Sequence, residues 1–475
     1  MVPSLNALSV ELVDCVTSYL DFADISALRQ ASRAINSAVL ATRYPRYFKT
    51  KGRLWLDTPS LQSFAALANT SELVCSLEAL TLVSVLNPPS AEPDETSLHR
   101  SLLAEAFMLI KRRSKTGSLL SLTLSIAPRL EGTVLRSKYE KYYEAVARDW
   151  KHVWNLADEA LATTMYALGE SSLPVSQLLD LFSGIRGCSL YFHKFADIPA
   201  RFPLALASLD GLKALKVSLS PPMKLSLQRL APGETRLFTD DGQHVPHSGN
   251  VLEDTRRLLP VLTPSLESLD MHWYDLDDRS LETSALLLPD NSDAAIHGMP
   301  LKSCRLRGFK VGDVQLRDFL EKLRPASIEL QHVGMVRGSW DTVLRYICSA
   351  ESGIESFCLD DLLDADMQLL HFDAPGRPKF PYLGRGGGPN TLVRAGSDAN
   401  QSVRYFTMTV RALGSPEVMR WKRDSLQNYG SRSGGYHFLV MNSLPRAVEL
   451  DEEEPDPDEV CSGSGDDDSD SNEET

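Results

Sequence analysis

Leu266-Glu267-Ser268-Leu269-Asp270-Met271 carries apolar residues at its first, fourth and sixth positions, with one polar residue between the last two. In an extended chain successive side chains point to opposite faces, so Leu269 and Met271 share one face while Ser268 and Asp270 share the other. The same apolar-x-x-apolar-x-apolar triplet recurs as Leu77-Leu80-Leu82, Leu119-Leu122-Leu124, Ile185-Cys188-Leu190 and Leu212-Leu215-Val217. It continues as Leu301-Cys304-Leu306 and Ile354-Phe357-Leu359. Most copies follow a short polar or Gly/Pro turn, as at Gly117-Ser118, Gly211, Thr263-Pro264 and Ser352-Gly353. Helical stretches lie between several of them, and strand–helix–strand order predicts a parallel sheet.

The triplet resembles the strand core of a leucine-rich repeat. The asparagine that normally closes that strand turn is replaced, by Tyr274 in one copy and Phe309 in another, and the spacing is irregular. The expected fold is therefore α/β, an irregular leucine-rich-repeat-like α/β solenoid. The alternative is an irregular α/β domain with ordinary amphipathic strands. In such a repeat, the residue between the last two apolar positions faces the open side. That places Thr81, Thr123, Ser189, Lys216, Asp270, Arg305 and Cys358 there, with His272 and Arg307 extending the same faces. Asp270, His272, Arg305 and Arg307 are the expected target-binding residues. Cys188, Cys304 and Cys358 are also read as strand-core positions, where cysteine behaves as a small hydrophobe.

Ahead of the repeats, residues 8–39 read as three short helices. Leu12, Val16, Tyr19 and Leu20 share one helical face, with Ser9 as a cap. Asp24 is placed to cap a second helix bearing Ile25, Leu28 and Ala31, and Ser32 a third bearing Ile35 and Val39. The order Leu8-x-x-Glu11-Leu12, Val16-x-Ser18-Tyr19-Leu20-Asp21, Asp24-Ile25-x-x-Leu28-Arg29, Ser32-Arg33-x-x-Asn36 resembles the F-box, in the version found in filamentous fungi. Ser9 stands where that family usually has proline, so helix initiation rests on a side-chain cap rather than on a fixed φ. The resemblance implies a helical module that docks on the S-phase kinase-associated adaptor of an SCF-type cullin-RING ubiquitin ligase. Its apolar docking face is expected among Leu8, Leu12, Val16, Leu20, Ile25, Leu28 and Ile35, some of which must instead form the module's own core. On this reading the chain is a non-catalytic substrate receptor. It holds a target near the bound conjugating enzyme, where catalysis is by proximity. The rival readings are a scaffold independent of the ligase, a plain helical cap, a DNA-binding helix-turn-helix, and a hydrolase or transferase hidden in the α/β body.

Three segments follow: an F-box-like helical module at 1–48, a repeat-like α/β domain at 49–445 and a disordered acidic tail at 446–475. From Glu449 to Thr475 there are 14 acids and no Lys or Arg, which leaves 49 acids against 49 bases in the remainder. The net charge of −14 thus sits in the tail, and the neutral body offers no charge argument for nucleic acid. The basic residues Arg43, Arg46, Lys49, Lys51 and Arg53 read as a solvated face or linker. Ser464 and Ser471 each have an acid three positions on, a spacing that suits acid-directed kinases.

No apolar run approaches a membrane span. An odd seven cysteines, without paired spacing or a secretory leader, point to reduced thiols in cytoplasm or nucleus. The glycine run at Gly384 lacks the Lys of a phosphate loop, and His244 and His247 have no third ligand in sequence. No cofactor, metal or catalytic residue is expected. Segments 87–96, 220–249, 276–298 and 374–400 read as loops, 135–168 as a long helix or helix pair crowded with aromatics, and 403–410 as a strand. A helix over 416–429 bearing Val418, Met419, Trp421 and Leu426 follows, then a strand over 436–441.

Overall fold

The computed structural model describes residues 8–17, 19, 22–41, 49, 52–70, 76–86, 93–114, 116–128, 150–184, 188–220, 225–231, 234–239, 251–274, 300–366, 368–376 and 388–408. The expected loop over 276–298, the helix over 416–429, the strand over 436–441 and the acidic tail lie outside these residues. So do Tyr139, Tyr142 and Tyr143.

Three helices come first: α1 (Val10–Thr17), α2 (Phe22–Ala31) and α3 (Arg33–Ala41). Val13, Ile25, Ile35 and Val39 form an apolar cluster among them, with Leu8, Leu28, Ala38 and Leu40 packed against it. The backbone N–H of Val13 donates to the Ser9 carbonyl at 3.0 Å, so the first turn closes without a proline. Ser32 caps α3 as expected, its hydroxyl accepting from the Ile35 N–H at 3.1 Å. α2 begins at Phe22, so Asp24 stands two residues inside the helix and not at the expected cap position. Arg29 ties α2 to α3 through a 2.7 Å bond from its Nε to Asn36 Oδ1.

The rest is mixed α/β. In chain order come β1 (Gly52–Trp55), α4 (Thr58–Thr70), β2 (Ala79–Leu86), α5 (Pro93–Arg113), β3 (Leu119–Pro128), α6 (Trp150–Ser171), β4 (Val175–Leu181) and β5 (Leu190–Tyr191). Three short helices, α7 (Phe192–Ala196), α8 (Ile198–Arg201) and α9 (Pro203–Leu206), lead to β6 (Ala214–Ser220), β7 (Leu225–Ala231) and β8 (Glu234–Thr239). Then follow α10 (Val251–Leu262), β9 (Ser268–Trp273), β10 (Ser303–Arg307), β11 (Lys310–Gly312), α11 (Asp313–Leu323), β12 (Ser327–Gln331) and β13 (Gly334–Arg337). Last come α12 (Trp340–Ile347), β14 (Ser356–Asp360), β15 (Leu369–Phe372), β16 (Thr391–Ala395) and β17 (Tyr405–Met408).

One large sheet runs β1-β2-β3-β4-β6-β9-β10-β12-β14-β16, with β5 beside the end of β6. Every pairing along it is parallel except the last, where β16 closes antiparallel on β14. The triplet residues stack in register: Leu80, Leu122, Leu179, Leu215, Leu269, Cys304, Ile328 and Phe357 form one buried row. Leu54, Leu82, Leu124, Leu181, Val217, Met271, Leu306, Leu330 and Leu359 form the next. Both rows face the helices, whose Leu61, Phe107, Leu161, Leu259, Phe319 and Leu344 complete one continuous core. The missing asparagine is replaced by burial, since Tyr274, Phe309, Val333 and Leu362 occupy its position and are all within that core.

A repeated turn re-aims the chain after the strands. Phe182, Gly308, His332 and Asp361 directly follow β4, β10, β12 and β14, and each has a positive φ, at 65°, 74°, 53° and 50°. At Gly308 an added Cβ would clash with the Trp273 carbonyl oxygen, so this copy of the turn requires glycine for space as well as for φ.

Several expectations need correction. The triplet Ile185-Cys188-Leu190 is not a full strand of the sheet; Leu190 and Tyr191 pair with the end of β6, and β4 takes the central place. β4 escapes the pattern because its register shifts between Leu119 and Ser121 of β3, which sets its first apolar residue, Val175, one place early. β12 escapes because Pro325 stands at its first triplet position. The segment read as a loop over 220–249 contains the antiparallel hairpin β7–β8, and the one over 374–400 contains β16. Pro93 opens α5 inside the segment read as a loop over 87–96. The expected strand over 403–410 is β17.

Candidate functional site

Two surfaces carry exposed chemistry of the kind the sequence points to. The first is α1. Its length is under three turns, so its apolar residues divide between two sides. Val13 and Thr17 are buried, while Val10 is 41 %, Leu12 54 % and Val16 40 % exposed, and Tyr19 just beyond the helix is 85 % exposed. Leu12, Val16 and Tyr19 are spaced to share one face. Of the expected docking residues, Leu12 and Val16 are on this outer face, Ile25 and Ile35 are core, and Leu8 and Leu28 are half-buried against that core. Ile25 and Ile35 are therefore structural, a correction to their place in the docking set. Leu20 lies outside the described residues. Glu11 is held below the usual carboxylate range, first by the Ser9 hydroxyl and then by its own backbone.

The second surface is the face of the sheet turned away from the helices. One row across it reads Arg53, Thr81, Thr123, Asp180, Lys216, Asp270, Arg305, Glu329, Cys358, Val393. Its centre alternates in sign: acid at 180, base at 216, acid at 270, base at 305, acid at 329. Neighbouring strands are about 4.8 Å apart, so each inner charge stands between two opposite ones.

The alternation produces direct pairs. Arg307 Nη2 lies 3.0 Å from Asp270 Oδ1, and its Nε donates to the same oxygen at 3.1 Å. Arg305 Nε lies 3.1 Å from Glu329 Oε2, and its Nη1 3.9 Å from Asp270 Oδ2. Gln331 links both ends, accepting from Arg305 at 2.9 Å and donating to Glu329 at 2.7 Å. Burial lifts the Asp180 carboxyl above the usual carboxylate range; bonds from Ser183 and the charge of Lys216 oppose the rise, and the charge of Asp270 adds to it.

Asp270, Arg305 and Arg307 are thus brought together as expected. His272 is adjacent in register but buried, its ring 4.1 Å from that of Tyr274. It belongs to the packing and is removed from the target-facing set. Ser189 is buried and off the row, its place taken by Asp180. Cys358 is half-exposed in the row and not part of the core, whereas Cys188 and Cys304 are core residues. Burial pushes the Cys304 thiol up to about 12, with a contribution from Asp270. The sequence reading missed Asp180, Glu329 and Gln331. The apolar–charged–apolar runs Leu179-Asp180-Leu181 and Ile328-Glu329-Leu330 match Leu269-Asp270-Met271 and were the signal that could have found two of them.

At the strand entrances a second charged line forms. Glu267 contacts Lys302 at 2.5 Å and Lys213 at 2.9 Å, and hydrogen bonds from these two hold its carboxyl down at about 2. Beside it, Ser268 and Ser303 bond at 2.7 Å, as do Ser327 and Ser356 at 2.9 Å.

Among the described residues no group of three or more His, Cys, Asp or Glu is arranged to hold a metal ion. No described helix is long and apolar enough to cross a membrane. Against known proteins, no family model matches the sequence, and no curated protein matches it at a significant level.

Proposed function

We propose that the chain is the substrate-receptor subunit of an SCF-type cullin-RING ubiquitin ligase. The helices α1–α3 act as the F-box and bind the adaptor, and through it the cullin. The in-register parallel sheet with its helix layer acts as a leucine-rich-repeat-like solenoid, and its open face holds the target protein. The chain supplies no catalytic side chain on this reading, because proximity of target and conjugating enzyme does the work.

One observation carries the proposal: α1 turns Val10, Leu12 and Val16 outward while Val13, Ile25, Ile35 and Val39 already fill the core of the three helices. Apolar side chains left outside a satisfied core on a helix of eight residues are what a docking surface requires. The residue order that resembles the F-box includes Leu12 and Val16 among the residues expected to dock.

Co-purification of the full chain with the ligase adaptor tests the reading, beside a Leu12→Asp/Val16→Asp variant. Both positions are exposed, and circular dichroism of the variant is matched to wild type before its binding is read. A one-to-one complex, lost in the variant, is the expected result. Failure of folded wild-type protein to bind the adaptor overturns it and moves the weight to a non-catalytic scaffold independent of the ligase.

A further inference from the structure

The charged row of the open face is satisfied at one end and not at the other. At its far end Glu329 is held by Arg305 at 3.1 Å and by Gln331 at 2.7 Å. In the middle Asp270 is shared by Arg305 and Arg307. Lys216 stands in register between Asp180 and Asp270, with an acid on either side. Asp180 is the exception. It is half-buried, and among the described residues it makes no direct ion pair: the Ser183 N–H donates to it at 2.9 Å, and Lys216 acts on it only through its field. On its other side the row is uncharged, because Thr123 is its register partner and Thr81 follows. Burial outweighs the contacts it has and holds its carboxyl above the usual carboxylate range. The alternation of acid and base thus begins on an acid whose outer neighbour carries no charge.

We propose that the open face takes a protein segment that sets an arginine or lysine over Thr123, its cation against Asp180. Charge complementarity selects this partner. Adjacent strands are about 4.8 Å apart, so a cation over Thr123 meets the Asp180 carboxylate at contact distance and continues the alternation by one place. Arg305 and Arg307 are already bonded to Glu329 and Asp270, and Lys216 has an acid on both sides, so an acidic segment would have to break an existing pair. The same reasoning sets aside nucleic acid, whose phosphates need free bases. The Thr123 hydroxyl adds an acceptor for a further N–H of a guanidinium. This inference rests on the receptor reading and names the chemistry that its target must carry.

Panning the full-length protein against a displayed random-peptide library tests it, with Asp180→Asn beside wild type and circular dichroism matched between the two. Wild type is expected to enrich peptides with arginine or lysine at one fixed place. Asp180→Asn should capture them about tenfold more weakly, the size of one lost hydrogen bond to a charged group. A second measurement leaves the protein untouched. In a synthesised peptide from that set, exchanging arginine and lysine should keep binding, whereas glutamine should weaken it about tenfold on wild type and not on Asp180→Asn. Selection without a basic preference, a basic preference that Asp180→Asn retains, or no selected peptide at all overturns the proposal. Adaptor co-purification from the same preparation separates the two readings. Adaptor bound without an Asp180-dependent peptide rejects the cation site alone, and an Asp180-dependent peptide without adaptor rejects the ligase and keeps the site.

Discussion

Arg307 on β10 grips Asp270 on β9 through two nitrogens, with Nη2 and Nε 3.0 and 3.1 Å from one carboxylate oxygen. The two residues are not direct register partners: Arg305 stands opposite Asp270, and Arg307 opposite His272. The longer reach falls to Arg307 because Arg305 is held on its other side by Glu329 and Gln331. Asp270 is in this way the acid shared by two arginines at the centre of the open face.

Replacing that acid should therefore cost more than an exposed ion pair does. Asp270 and Arg307 side chains are 13 % and 16 % exposed, so screening is incomplete. We expect Asp270→Ala to lower unfolding free energy by about 2–3 kcal/mol. Urea unfolding of the full chain checks this, and a loss below about 0.5 kcal/mol, the range of surface pairs, would show that the row is solvated and energetically slack.

The turn after β10 makes a sharper claim. Gly308→Ala should destabilise by about 2 kcal/mol or more, from a left-handed φ combined with a clash on the Trp273 carbonyl. His332 and Asp361 occupy the same turn with side chains, so the left-handed φ alone is tolerated. A melting temperature equal to wild type would mean that the β9–β10 connection can shift to admit a Cβ.

Asp180 sets a pH dependence of stability. Its folded pKa is raised, so the folded state binds the proton more tightly than the unfolded state does. Stability contributed by this group is then highest below the ordinary value of 3.8 and is lost as pH rises through the raised one. Asp180→Asn keeps an oxygen to accept from Ser183 and removes the charge. The variant should be more stable than wild type at pH 7, and the difference should vanish near pH 3. Denaturation at the two pH values settles the sign, and a variant weaker at pH 7 would mean that pairing with Lys216 outweighs burial.

The division of α1 to α3 into core and surface predicts opposite responses to the same substitution type. Ile25→Ala should cost the three helices about 2–4 kcal/mol, because Ile25 is fully buried. Leu12→Ala should change stability by less than about 0.5 kcal/mol. Hydrogen exchange over residues 10–41 reads both. A large loss at Leu12 would place it in the core and remove the docking face from the proposal.

The alternation in Leu266-Glu267-Ser268-Leu269-Asp270-Met271 and its relatives was enough to locate β2, β3, β6, β9, β10 and β14, and to say which side chains point together. Period-2 patterning is local, and burial of one face enforces it wherever the strand lies. Sequence alone likewise named Asp270, Arg305 and Arg307 as one group, because parallel strands in register bring equal triplet positions together. What only the tertiary structure decided depends on neighbours distant in the chain. The shifted register between β3 and β4 and the proline ahead of β12 hide two strands from any local pattern. His272 is buried although its register partner Arg307 is charged, because Tyr274 packs against its ring. On α1, Leu12 and Val13 are equally apolar to a reader of the sequence. Which one faces outward was decided by where α2 and α3 bring Ile25, Ile35 and Val39, and that is a matter of packing rather than of composition.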